Sequence, residues 1–239
     1  MMKKTLLATA LMAASTATMA EISGNVALAT DYRFRGISQT DRDPAIQGGF
    51  DFNHESGLYA GVWASNLQFA GSIEMDYYGG YSGNLTDKVG FDVGAIYYDY
   101  PSDNQGSGDP DLEFWELYAG LSTEIGMVSL SGKLSYSPDY FGETGDGFYT
   151  DLGASVGLPS DFTLAAHLGY QTIDEGEASE GGFFSSEEDD YMDWSLGISK
   201  SYQGVDFDLS YIDTNLDEDD CFDSKICDDT VVFTISKSL

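Results

Sequence analysis

Apolar and polar residues alternate along most of this chain with a period of two. Between Ile22 and Gly36, the residues Ile22, Val26, Leu28, Tyr32 and Phe34 fall on even positions. Ser23, Asn25, Asp31, Arg33 and Arg35 fall on odd ones. Side chains of a strand alternate between its two faces, so the pattern predicts one strand with an apolar face and a charged face. Soluble strands end after roughly 5–6 residues, whereas a tilted strand needs about 9–11 to cross a bilayer. The alternation here outlasts both. Its charged face then looks into a wet interior, and the stretch reads as the first strand of a membrane barrel.

The pattern recurs to the end of the chain. Ile46, Phe50 and Phe52 alternate with Gln47, Asp51 and Asn53. Leu58, Ala60, Val62 and Ala64 form the next apolar stripe, with the facing of Tyr59 and Trp63 left open. Ile73, Met75, Tyr77 and Tyr81 back onto Glu74, Asp76 and Tyr78, while Val89, Phe91, Val93 and Tyr97 back onto Lys88 and Asp92. Further stripes of the same kind, the last at Val231, Phe233 and Ile235, bring the expectation to twelve strands. Short turns, such as 158–161 and 201–204, join strands at one end, and longer acidic segments join them at the other. That asymmetry predicts an all-β fold: an antiparallel transmembrane β-barrel with short periplasmic turns and long acidic extracellular loops. A soluble barrel has no reason to gather its long loops at one end.

The N-terminus fits this reading. Lys3 and Lys4 precede an apolar run over 6–14 and small residues up to Ala20, the pattern of a secretory signal peptide. Cleavage after Ala20 is expected, leaving 21–239 as one outer-membrane barrel domain in a Gram-negative cell. No later segment reaches the about 20 apolar residues of a membrane helix, and a closed barrel is the other structure that satisfies every backbone group in lipid.

Composition narrows the function. The formal net charge of −31 excludes a nucleic-acid partner, whose phosphates demand Lys and Arg. Acidity at low hydropathy can mean disorder, but 16 Tyr, 14 Phe and 3 Trp argue against it and suit the aromatic girdles of a membrane barrel.

Several runs also resemble a known family. These are Ser23-Gly24-Asn25-Val26, DYRFRGISQT over 31–40, and 44–51, followed by 57–66 and 74–81. They are similar to the TorF-type porins, Gram-negative outer-membrane proteins of a family labelled for glycine, cysteine and tryptophan. The likeness is strongest in the first part of the barrel and stays collinear to the end. It implies an outer-membrane channel and brings no catalytic residues with it.

By parity, the expected pore lining comprises Asp31, Arg33, Arg35, Asp51, Glu74, Asp76, Lys88, Asp92, Glu116, Lys133, Asp151, His167, Asp193, Asp206 and Asp208. The acids outnumber the bases, and rings of acidic side chains favour cations in a pore. Two functions follow. The first is a porin-like ion channel for passive transport of small cationic or neutral solutes. The alternative is a largely plugged structural or surface-interaction barrel, because twelve strands lie between filled small barrels and open large ones. Acid–base pairs closing the lumen would mark the second.

The acidic runs 174–190 and 213–229 lack the spacing of a calcium loop. They are expected to associate diffusely with divalent cations and with lipopolysaccharide, and no specific metal site or cofactor is expected. Cys221 and Cys227, six apart in an exported chain, are expected to form a disulfide. No enzyme is expected. Catalysis by a barrel hydrolase needs a nucleophile or activated water beside a histidine, and His54 and His167 are the two histidines here, with no G-x-S-x-G element.

Overall fold

The computed structural model describes residues 21–101, 111–174 and 189–239. The expected leader and residues 175–188 of the acidic run 174–190 lie outside them. Twelve antiparallel strands close into one barrel. In chain order they are β1 (Glu21–Ala29), β4 (Ala45–Asn53), β5 (Leu58–Asn66), β6 (Ile73–Asn84), β7 (Val89–Asp99) and β8 (Phe114–Ile125). The second half comprises β9 (Val128–Ser137), β10 (Gly147–Leu158), β11 (Phe162–Ile173), β12 (Asp190–Tyr202), β13 (Val205–Thr214) and β14 (Thr230–Ser238). Each strand pairs with its neighbour in sequence, and β1 closes the ring on β14, with Val26 opposite Lys237 and Ala29 opposite Thr234. Closure removes every sheet edge, which lipid would otherwise leave unpaired. Among the described residues no helix is long and apolar enough to cross a membrane.

The predicted parity holds around the wall. Leu28, Ile46, Phe50, Leu117, Leu152 and Leu196 stand exposed on the outside. Outward aromatics gather near the loop end (Tyr77, Tyr97, Trp115, Tyr170, Tyr211) and near the turn end (Phe52, Tyr81, Tyr202, Phe207). These are the two girdles of a membrane barrel. Tyr59 and Trp63, whose facing the pattern left open, both point inward.

The first strand departs from expectation. It stops at Ala29 rather than running to Gly36, and Ala29 already pairs with Ala45 of the next wall strand. Between them the chain turns into the lumen and forms a small hairpin, β2 (Arg33–Phe34) and β3 (Ile37–Ser38). Arg35 and Gly36, with φ of 47° and 83°, occupy its tip, and two successive left-handed residues make the tight turn a two-residue hairpin requires. Asp31 holds the base, accepting from Arg33 Nε at 2.6 Å, Ser38 Oγ at 2.6 Å and Thr40 Oγ1 at 3.0 Å. Tyr32 and Phe34 therefore face the interior and not lipid. A period of two cannot separate a strand that continues up the wall from one that folds back inside it.

The hairpin packs into an apolar core at the loop end of the barrel. Ile37, Tyr98, Tyr100, Phe114, Tyr140 and Tyr191 belong to it, with Phe34 packed alongside. Phe34 meets Tyr98 edge-on at 5.6 Å. A second group forms on Tyr32, Ala29 and Ala45, and Tyr32 meets Trp63 at 5.4 Å.

Toward the turn end the wall keeps its own interior thin. Tyr59 on β5 and Tyr118 on β8 lie toward one another across Gly80 and Gly94, and their hydroxyls meet at 2.5 Å. A Cβ on Gly80 would stand 2.4 Å from the Tyr59 hydroxyl, and one on Gly94 2.5 Å from that of Tyr118. Bare glycine is what lets both rings lie flat. Gly94→Ala is therefore expected to lower the unfolding midpoint in detergent, by about 1–3 kcal/mol of overpacking. Loss of heat-modifiable gel mobility at lower temperature would show it.

Candidate functional site: the barrel lumen

The lumen has two zones with different chemistry. At the loop end, inward strand residues meet the hairpin. The Arg35 guanidinium lies 2.6 Å from Glu116 of β8 and donates to both carboxylate oxygens, at 2.6 and 2.7 Å. It also donates to Gln171 Oε1 of β11 at 2.5 Å. Its plane stacks near Tyr149 at 4.2 Å and Phe34 at 4.7 Å. The side chains of Arg35 and Glu116 are 6 % and 3 % exposed, so the pair is out of water.

Arg33 fastens the other side. Beyond Asp31, its Nη1 donates to the backbone carbonyls of Gly36, Ile226 and Asp228. Ile226 lies within the loop closed by the Cys221–Cys227 disulfide, which is present as expected, and Asp228 directly follows it. The Ser38 amide donates to the Ile226 carbonyl at 2.9 Å, and Thr214 Oγ1 donates to that of Cys227 at 3.0 Å. The disulfide loop thus caps the hairpin from above.

Tyr32 extends the contact to β6, donating to Glu74 at 2.8 Å. Below it, His167 of β11 sits between two acids on the flanking strands. Nδ1 lies 3.2 Å from Asp151 of β10 and Nε2 lies 2.7 Å from Asp193 of β12. Tyr149 donates to Asp193 at 2.9 Å and lies 3.1 Å from the same ring nitrogen. Because the two ring nitrogens serve different carboxylates, these groups do not converge on one point. No cluster of three ligating groups suited to a metal ion occurs among the described residues. Lys133 faces Asp151 across the β9–β10 ladder.

The turn-end zone is different. Asp51 accepts from Tyr78 and from Asn25, and Asp92 accepts from Tyr59 at 2.6 Å. Asp206 accepts from Ser201 and Asp208 from Ser210. Hydroxyls orient these carboxylates, but none of the four is ion-paired among the described residues.

Of the expected lining, Lys88 is misplaced. It lies exposed in the turn between β6 and β7, outside the strand that parity gave it. The run Leu85–Lys88 is simply the turn, and the alternation continued one residue too far. Asp31, Arg33 and Arg35 reach the interior on the hairpin instead of on a wall strand. Sequence reasoning overlooked Gln171, Tyr149, Tyr32 and Tyr98, aromatic or neutral residues that carry no charge signal. Inward parity was available for Gln171, Tyr149 and Tyr98, whereas parity put Tyr32 on the lipid face.

Residues 13–239 match the family described as "Bacterial protein of unknown function (Gcw_chp)". The chain belongs to that family. No curated protein matches it in sequence. Among solved structures it is similar to the NanC porin, at 11 % identity and a TM-score of 0.57, over 89 % of this chain and 97 % of that one. It is also similar to the KdgM porin, at 7 % identity and 0.54, over 92 % and 98 %. A third is LpxR from Salmonella typhimurium, at 10 % and 0.50, over 91 % and 99 %. At such identities the likeness concerns the fold, and function has to be argued from the lumen itself.

Breaking the buried pair leaves a charge without a partner, which costs about 3–5 kcal/mol. Arg35→Ala and Glu116→Gln are each expected to lower stability by that order in equilibrium urea unfolding, whereas Arg35→Met with Glu116→Leu costs less than either alone.

Proposed function

We propose that the protein is an outer-membrane, porin-like channel for passive diffusion of small solutes, preferring cations, with its loop end narrowed by the inward hairpin. The observation that carries this reading is the turn-end lumen, where Asp51, Asp92, Asp206 and Asp208 face inward without ion-paired partners. Carboxylates in a low-dielectric tube focus a negative potential and raise the local concentration of cations. The resemblance to TorF-type porins and the fold shared with the NanC and KdgM porins point the same way. The apolar belt with its two girdles supports a place in the outer membrane, with the turn end periplasmic and the acidic loops outside, among lipopolysaccharide and divalent cations.

A second reading is favoured by one observation. The Arg35–Glu116 pair and the core around it occupy the loop-end lumen, as in a plugged structural barrel. Catalysis has less support: both ring nitrogens of His167 are engaged by carboxylates, and the hydroxyl beside Nε2, that of Tyr149, donates to Asp193.

Purified protein in a planar bilayer under a salt gradient separates the readings. The channel predicts stable conductance steps with a cation-selective reversal potential, and Asp51→Asn with Asp92→Asn and Asp208→Asn moves that potential toward zero. Silence from protein shown to be folded assigns the barrel to the structural reading.

A further inference from the structure

The buried charges of the loop-end lumen do not balance. Asp31, Glu74, Asp76 and Glu116 are all buried there. Arg33 is engaged by Asp31 and Arg35 by Glu116. Glu74 and Asp76 remain, two positions apart on β6 and so on the same inward face, with their carboxyl groups within hydrogen-bonding reach of one another. They are 2 % and 7 % exposed. Beyond residue 20 the bases of the chain are Arg33, Arg35, Arg42, Lys88, Lys133, Lys200, Lys225 and Lys237. None forms an ion pair with either acid.

The hydrogen bonding is as incomplete as the charge. Glu74 accepts from the Tyr32 hydroxyl at 2.8 Å. Asp76 Oδ1 is buried and has no hydrogen-bond partner. A buried carboxylate without partner is costly enough that native interiors supply one, as a side chain, water or ion. Fully ionised, the two adjacent carboxylates form a hard-oxygen environment of charge −2, which either a bound cation or a shared proton relieves.

We propose that Glu74 and Asp76 bind one hard cation, divalent by charge balance, behind the Tyr32 side chain. Because Tyr32 rides on the inward segment and Glu74 on the wall, the bound ion draws the two together. It holds the segment's base, as Arg35 holds its tip. This site is separate from the diffuse cation atmosphere of the acidic loops, and it stands whether or not the barrel conducts.

Calcium is the probe, added to full-length, refolded protein in detergent after treatment with chelator. Equilibrium dialysis counts bound ions, and thermal unfolding is followed in parallel. The expected result is that Asp76→Asn binds one fewer saturable calcium than wild type, while the exposed loop variant Asp223→Asn retains it. In chelator Asp76→Asn melts above wild type, because it removes the like-charge contact, and calcium narrows or reverses that gap. Glu74→Gln repeats the pattern and carries the test if Asp76→Asn does not fold. Equal saturable binding and equal calcium-induced shifts in wild type and both variants would overturn the site, leaving the pair to hold a proton instead.

Discussion

A guanidinium buried inside a barrel is tolerable where an acid meets it. Much of the interior follows from that constraint. Arg35 sits at the tip of a tight turn, in a left-handed conformation that few residues other than glycine adopt readily. Its strain is offset where Glu116, Gln171 and three aromatic rings receive it. The tip can be so deep because the base is fixed by Asp31, and the base is stable because Arg33 reaches the carbonyls of the disulfide loop. Hairpin, wall and cap form one connected polar framework embedded in an apolar core. Removing a single member exposes the others to an interior that cannot hydrate them.

The barrel itself was legible in the sequence. Twelve stripes such as Ile73–Met75–Tyr77 against Glu74–Asp76–Tyr78 set both the strand count and the inward residues, because one wall of lipid and one of water impose the same parity on every strand. The hairpin was not legible. Tyr32 and Phe34 alternate with Arg33 and Arg35 as a wall strand would. What separates the two outcomes is tertiary: Asp31 collecting Ser38 and Thr40, and Glu116 waiting across the lumen. Arg35-Gly36 was a turn signal in hindsight, but a lone glycine in an alternating run is weak. Lys88 was misread for the converse reason, since nothing in the alternation marks where a strand yields to its turn.

The two zones of the lumen give the acidic composition two uses. At the loop end carboxylates are consumed in holding the inward segment. At the turn end they are oriented by tyrosine and serine hydroxyls, outside the ion pairs of the described residues. Glycines at the Tyr59–Tyr118 crossing make room for both rings to lie along the wall. The function we propose, a channel narrowed at one end and charged at the other, rests on that division.

Residues 31–40 fold inside the barrel rather than along its wall. The most direct test pairs Phe34→Cys with Tyr98→Cys, side chains now in edge contact, in the folded protein under mild oxidation. The account predicts a disulfide-linked peptide joining positions 34 and 98 in addition to the native Cys221–Cys227 link. Free alkylation of both new thiols in protein that keeps its folded gel mobility would contradict it, and would return the segment to the wall.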